Sequence, residues 1–238
     1  MNIVVTGASR GLGLAIAERF ALEGHNLYLC SLSKSPLLAT AASLAKRYPA
    51  ITIHAAPFDL SLKEGAEAFG KWVLGDLAGR GGSSIDVLVN NAGQFLPGTI
   101  QDEPAATLEK MIAVNLYSAY HLTRILLPQM ISVRKGHIFN ICSIASLQAY
   151  PDGGSYSISK YALSGFSKNL REELKPSGIK VTSVYPGAVY TGSWAGSGVD
   201  PNRLMEAADI AQMIFACTAV SPNACVEELV LRPQLGDL

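Results

Sequence analysis

Apolar residues recur along the chain in two rhythms. Some form short, nearly continuous runs; others return every three or four positions through longer stretches. The short runs predict strands at 3–6, 27–30, 51–58, 85–89, 137–142, 181–185 and 228–231. The longer ones predict helices at 14–21, 37–47, 61–77, 105–130 and 155–174. Gly24 stands where a left-handed stop to the first helix is expected, and Pro128 falls near the end of the fourth. The strand runs lack a polar face, the mark of a sheet covered on both sides. Strands alternating with helices build right-handed βαβ units, so the expected fold is one α/β domain. It is a doubly wound parallel Rossmann-type sheet of about seven strands with helices on both faces.

Composition narrows the partners more than it changes this picture. The 238 residues are 49% apolar and 16% charged, enough for a large core and against disorder. Lys plus Arg and Asp plus Glu both number 19, so no charge excess points to nucleic acid or an anionic membrane. Cys30, Cys142, Cys217 and Cys225 form no CxxC pair and read as small buried hydrophobes in a reducing compartment. His25, His54, His121 and His137 are scattered, and no metal is expected. No apolar run approaches the ~18 residues of a membrane span. The chain opens on a strand-like run instead of a charged leader, so a cytoplasmic protein is expected. Only 191–202 is rich in Gly, Ser and Pro; with its continuation to 205 it reads as a lid over a site.

Two segments carry chemistry. Thr6-Gly7-Ala8-Ser9-Arg10-Gly11-Leu12-Gly13 joins the first strand to the first helix. Its glycines let the backbone approach a pyrophosphate, whose charge suits the N–H groups and dipole of a helix start. The spacing is not the GxGxxG of the general dinucleotide fingerprint, and no Gly-Lys-Ser/Thr closes a Walker loop. Second, Tyr156 and Lys160 lie four apart on one predicted helix and share a face. An ammonium ~4 Å from a phenol at an effective dielectric near 20 is worth ~4 kcal/mol, enough to lower a tyrosine pKa by up to about three. That would suit general acid–base work near neutrality.

These segments fall in one order with Asn90-Asn91-Ala92-Gly93, Asn115, Ser143 and Pro186-Gly187, and in that order the whole chain resembles the short-chain dehydrogenase/reductase family. The resemblance implies an oxidoreductase that moves a hydride between a nicotinamide and a carbonyl or alcohol. It implies that Ser143 bonds the substrate oxygen, that Tyr156 exchanges a proton with it, and that Lys160 lowers the tyrosine pKa and binds the nicotinamide ribose. Asn115 would hold a water that links Lys160 to solvent. For the cofactor it implies Gly7, Ser9, Arg10, Gly11, Leu12 and Gly13 around the phosphates, Ser31 beside the adenosine ribose, and Asp59 with Leu60 at the adenine. Asn91, Ala92 and Gly93 would follow the cofactor ribose, and Pro186, Gly187, Val189 and Thr191 would line the nicotinamide carboxamide. Asp59 could equally cap the helix that follows it.

After the second strand come Ser31, Leu32, Ser33 and Lys34, with no acid to hold an unphosphorylated ribose, while Arg10 could pair with a 2′-phosphate. NADP(H) is therefore the expected cofactor, with NAD(H) the alternative; Leu32 stands where the family's arginine is usual. The 186–191 segment, Trp194 and the ending 227–233 look like the branch that contains sepiapterin reductases and broad carbonyl reductases. There a C-terminal acid anchors a pterin, and Asp237 is the candidate. Leu147, Tyr150 and Trp194 would wall a bulky or planar carbonyl substrate. The rival readings are an NAD-dependent alcohol or amino-alcohol dehydrogenase and a non-catalytic dinucleotide sensor or scaffold. Apolar residues on 105–130 and 155–174 (Leu108, Met111, Ile112, Leu116, Ala119, Ala162, Leu163, Phe166 and Leu170) suggest pairing into a homodimer or homotetramer.

Overall fold

The computed structural model describes residues 1–81, 84–192 and 198–237. Its strands are β1 (Asn2–Thr6), β2 (Asn26–Ser31), β3 (Ile53–Pro57), β4 (Val87–Asn90), β5 (Gly136–Ile141), β6 (Ile179–Pro186) and β7 (Glu228–Leu231). They form one sheet in the order β3-β2-β1-β4-β5-β6-β7, every neighbouring pair parallel. The helices are α1 (Gly11–Leu22), α2 (Lys34–Arg47), α3 (Lys63–Gly79), α4 (Thr107–Ile112), α5 (Ser118–Val133), α6 (Gly154–Leu174) and α7 (Ala207–Thr218).

Successive strand residues point to opposite faces, which divides each apolar run between two cores. Ile3, Val5, Leu27, Leu29, Val87, Val89 and Phe139 pack against α1, α2 and α7. Val4, Tyr28, Leu88, Ile138 and Val181 pack against α3, α5 and α6. Both faces are therefore dry, as the unbroken apolar runs require.

Two elements differ from the sequence pattern. The helix expected over 105–130 begins at Thr107, and residues Ala113–Tyr117 form a π-helical turn between α4 and α5. Apolar periodicity does not register the extra residue per turn of such a segment, which inserts without breaking the stripe. The pattern also missed α7, whose buried Ile210, Ile214 and Cys217 follow helical spacing. Phe215 on α7 meets Phe20 of α1 edge-on at 5.5 Å, and Arg19 lies over the Phe215 ring. Among the apolar residues expected to be in excess, Met111, Ala119, Leu163 and Leu170 are buried within the chain's own core. Leu108 of that set is exposed, as are Tyr117, Tyr120 and Tyr161 on the outer faces of the same helices. Cys30, Cys142 and Cys217 are buried free thiols and Cys225 is partly buried. Among the described residues no helix is long and apolar enough to cross a membrane.

Candidate active site

Because every strand runs the same way, the carboxyl ends of β1, β4, β5 and β6 open on one edge. The strand order reverses direction between β1 and β4, the place where such sheets leave a crevice. Thr6 and Asn91 tie the crevice floor together. The Thr6 hydroxyl accepts the N–H groups of Asn91 and Ala92, both at 2.9 Å, and Asn91 Nδ2 donates to the Thr6 carbonyl at 2.8 Å. Gly13 completes the joint: a Cβ there would stand 2.3 Å from the Gly7 carbonyl oxygen and 2.5 Å from Asn91 Nδ2. The α1 start beside it has Arg10 as its extended cap residue, no side-chain hydrogen bond and no acid in its first turn. Its positive end is unneutralised and suits an anion.

A cavity of about 630 Å³ lies along this edge. Of the residues the sequence singled out, Leu12, Asn91, Gly93, Ser143, Tyr150, Tyr156, Lys160, Pro186, Gly187, Val189, Thr191 and Asp237 line it. Thr191 reaches over the phosphate loop, its Cγ2 3.4 Å from where a Gly11 Cβ would be. Gly7, Ser9, Arg10 and Gly11 lie around the α1 start, where Arg10 is exposed. Asn115 stands behind the wall: its Oδ1 accepts the Gln94 N–H at 2.8 Å, and its Nδ2 donates to the Gln94 carbonyl at 3.0 Å and to Ser159 Oγ at 2.9 Å. The π-turn is what places this polar residue, 1% exposed, at the back of the site.

Other expected residues sit elsewhere. Leu60 is buried in the core under α3, and the Ser31 hydroxyl bonds the Ser33 carbonyl at 3.2 Å. Asp59 Oδ1 accepts the N–H and hydroxyl of Ser61 at 3.0 and 2.6 Å, so it fixes the turn before α3; the residue that caps α3 is Leu62. Leu147 is exposed and does not line the cavity. Trp194 and the middle of the 191–205 segment lie outside the described residues, whereas that segment's base is pinned by Tyr190 N–H to the Met205 carbonyl and Met205 N–H to the Ala188 carbonyl. Asp237 shares an ion pair with Arg232 at the cavity edge.

Three groups converge on one wall. β5 ends at Ile141, and a 3₁₀ turn over Ile144–Ser146 follows at once. Ser143 caps that turn by accepting the Ala145 N–H at 3.1 Å, while Ser146 accepts the Ser143 N–H at 3.2 Å. This reciprocal cap holds the serine at the mouth of β5. From α6, Lys160 Nζ donates to the Ile141 carbonyl at 2.8 Å. Gly93 leaves room for this approach, since a Cβ there would be 3.5 Å from Nζ and 3.0 Å from Asn115 Oδ1.

Electrostatics here differ from the expectation that Lys160 lowers the Tyr156 pKa. Burial pushes Tyr156 up to about 12, and the hydrogen bond to Ser143 opposes this only in part. Burial also pushes Lys160 down to about 8. The ammonium lies 5.8 Å from the Tyr156 ring centroid and donates to a backbone carbonyl, and burial is the largest influence on each of the two groups.

The pocket walls that spacing did not reveal are Gln94, Phe95, Pro97, Ile144 and Gln148. Phe95 meets the Tyr156 ring edge-on at 4.8 Å. Its position directly after Asn90-Asn91-Ala92-Gly93-Gln94 was the one available signal.

The short chain dehydrogenase family model matches residues 1–201. An uncharacterized oxidoreductase of Staphylococcus aureus (strain MRSA252) is 30% identical over 230 residues, 97% of this chain and 96% of that protein. An alcohol dehydrogenase from the archaeon Thermococcus sibiricus, solved with 5-hydroxy-NADP, superposes with a TM-score of 0.88 at 28% identity, covering 98% of this chain and 96% of its own. A metagenomic short-chain oxidoreductase in complex with NADP gives 0.83 at 32% identity, with 98% and 97% covered. On this fold, with the family match running from the first residue through the cavity wall, the chain belongs to the short chain dehydrogenase family and is an oxidoreductase.

Proposed function

We propose that the protein is an NADPH-dependent reductase that converts the carbonyl of a bulky, planar or largely apolar molecule to an alcohol. The observation that carries this reading is the gathering of Ser143, Tyr156 and Lys160 on one wall of a cavity that runs to the uncapped start of α1. The residues present fit a phosphorylated dinucleotide. No acid follows β2, Arg10 and Lys34 are exposed near that strand end, and two of the similar solved structures hold NADP or its 5-hydroxy form.

The bound nicotinamide supplies the hydride. Ser143 bonds the substrate oxygen and holds it against the Tyr156 hydroxyl. A phenol pushed up to about 12 is fully protonated at neutrality, so it stands ready as a donor to an oxygen that gains negative charge. Lys160 spends one of its three N–H bonds on Ile141 and offers the others to ribose hydroxyls. Asn115, bonded to Ser159 and Gln94, holds the helix behind Lys160 in place.

The substrate class rests on the walls. Phe95, Pro97, Ile144 and Tyr150 favour an apolar or planar body, and Asp237 gives the far edge a carboxylate for N–H groups of the kind a pterin carries. Residues 191–205, Trp194 among them, serve as the lid. The exposed Leu108, Tyr117, Tyr120 and Tyr161 support a homodimer built on α4–α6, and light scattering that finds only monomer at micromolar concentration contradicts it.

A panel of carbonyls with NADPH, including a pterin and vicinal diketones, tests the reading. Tyr156→Phe lowers kcat by about 10²–10⁴-fold and leaves NADPH binding intact. Undiminished turnover in that variant on a good substrate overturns the mechanism.

A further inference from the structure

Helix α6 carries Tyr156 and Lys160, yet it begins without a cap of its own. Gly153 precedes it, makes no side-chain hydrogen bond to it, and no acid stands in its first turn. The missing partner comes from another part of the chain. Glu103 Oε1 accepts the Ser155 N–H at 2.7 Å, and its Oε2 accepts the Ser155 hydroxyl. Ser155 is 3% exposed and is the residue immediately before Tyr156.

The joint is built for close approach. Gly154 has φ +30°, and a Cβ there would fall 1.9 Å from Glu103 Oε1 and 2.4 Å from the Gly98 carbonyl oxygen. The Gly98 N–H donates to the Asp152 carbonyl at 3.0 Å. At the other end of the same strap, Gln94 is held on both its backbone groups by Asn115, which also bonds Ser159 of α6. Between these two fixings Phe95 sets its ring against Tyr156. The strap from 94 to 103 thus forms a cavity wall and is joined to the first turns of α6, directly at Glu103 and through Asn115 at Gln94.

We propose that Glu103 is a positioning residue for the proton transfer. Its carboxylate fixes the first turn of α6 through charge-assisted hydrogen bonds at the positive end of the helix, and thereby fixes both Tyr156 and the Phe95 wall. The proposal rests on the reading of Tyr156 as proton donor. Reacting groups tolerate little misplacement: about 1 Å costs on the order of 100-fold in rate. Glu103 bonds α6 at Ser155, beside Tyr156 and more than a turn before Lys160, so its loss acts on kcat more than on the nucleotide site.

Two measurements on the full chain test this. Hydrogen–deuterium exchange of the 153–160 segment is compared in wild type, Glu103→Ala and Glu103→Gln. Steady-state kinetics use NADPH with 1-phenyl-1,2-propanedione as the probe carbonyl, and NADPH affinity is read by fluorescence. In Glu103→Ala the 155–158 amides exchange at least about tenfold faster, kcat falls roughly 10- to 100-fold, and NADPH affinity stays within about twofold. Glu103→Gln retains an acceptor for the Ser155 N–H and recovers exchange and kcat to within about threefold of wild type. If Glu103→Ala does not fold, Glu103→Asp, with the carboxylate withdrawn by one methylene, is expected to give an intermediate loss in both readouts. Unchanged exchange in Glu103→Ala (or in Glu103→Asp where it replaces it), or Glu103→Gln as impaired as Glu103→Ala, overturns the proposal. So does a fall in kcat matched by an equal fall in NADPH-binding capacity. If Tyr156→Phe remains active, the reading of Tyr156 fails, and the exchange result still reports whether Glu103 holds the helix.

Discussion

Lys160 should cost the empty protein stability, and the cost should disappear with rising pH. Free lysine titrates at 10.5 and Lys160 at about 8, because burial penalises its charged form. At 1.36 kcal/mol per pH unit that gap is ~3 kcal/mol of folding free energy withheld while the folded chain must carry the ammonium. The group is 5% exposed, so solvent screens little of it. Below pH 8 both states hold the proton and the penalty is complete. Between about 8 and 10.5 the folded state has released the proton while the unfolded state keeps it, so stability rises with pH. Lys160→Met removes the penalty but also loses the 2.8 Å bond to the Ile141 carbonyl, worth ~1–2 kcal/mol. The variant should therefore be ~1–2 kcal/mol more stable than wild type at pH 7, and this advantage should vanish or reverse by pH 10. Urea denaturation of both proteins at pH 7, 8, 9 and 10, at one protein concentration, measures it. Taking the difference cancels the cysteines and tyrosines that titrate in the same range, apart from Cys142, whose titration is linked to that of Lys160. A difference that stays flat with pH, or grows in the variant's favour, refutes the reasoning.

Gly13→Ala forces a Cβ to 2.3 Å from the Gly7 carbonyl oxygen and should cost ~3 kcal/mol or more, read as a lowered urea midpoint, with NADPH binding lost as well. His137, stacked on Phe139 and bonded to Thr182 at 2.7 Å, is pushed down to about 3 by burial. The unfolded chain takes up this proton near pH 6.5, so stability present above that pH is lost progressively toward 3, by up to ~5 kcal/mol. His137→Gln should flatten the Tm profile between pH 7 and 4; an unchanged slope would exclude the histidine as its source. Arg10→Ala should weaken NADPH binding by roughly tenfold, about 1.4 kcal/mol, and leave NADH binding unaltered. Equal losses for both nucleotides would show that Arg10 does not meet the 2′-phosphate, and a wild-type kcat/KM tenfold better with NADH would reject the cofactor assignment itself.

Much of the fold was legible because each strand is covered on both faces. Val4 and Val5 serve opposite cores, so the run between them stays apolar and announces a buried parallel strand. Gly7, Gly11 and Gly13 were legible because their backbone geometry admits few alternatives. The π-turn at Ala113–Tyr117 was not, since an inserted residue leaves the apolar stripe intact. Leu60, which the family resemblance assigns to the cofactor, has its side chain buried in the core under α3.

What the sequence alone determined is the local and periodic part: alternating elements, a phosphate loop after the first strand, and Tyr156 and Lys160 on one helical face. Those depend on spacings within a single element, where helix and strand geometry fix direction. The tertiary structure decided whatever depends on distance between elements and on exclusion of water. Burial is the largest influence on the pKa values of Tyr156 and Lys160. Asn115 holds Gln94 and Ser159, and Glu103, 52 residues before Ser155, caps α6. Sequence spacing carries no information about desolvation or about which distant loop meets a helix end, because both arise only when the chain has closed on itself.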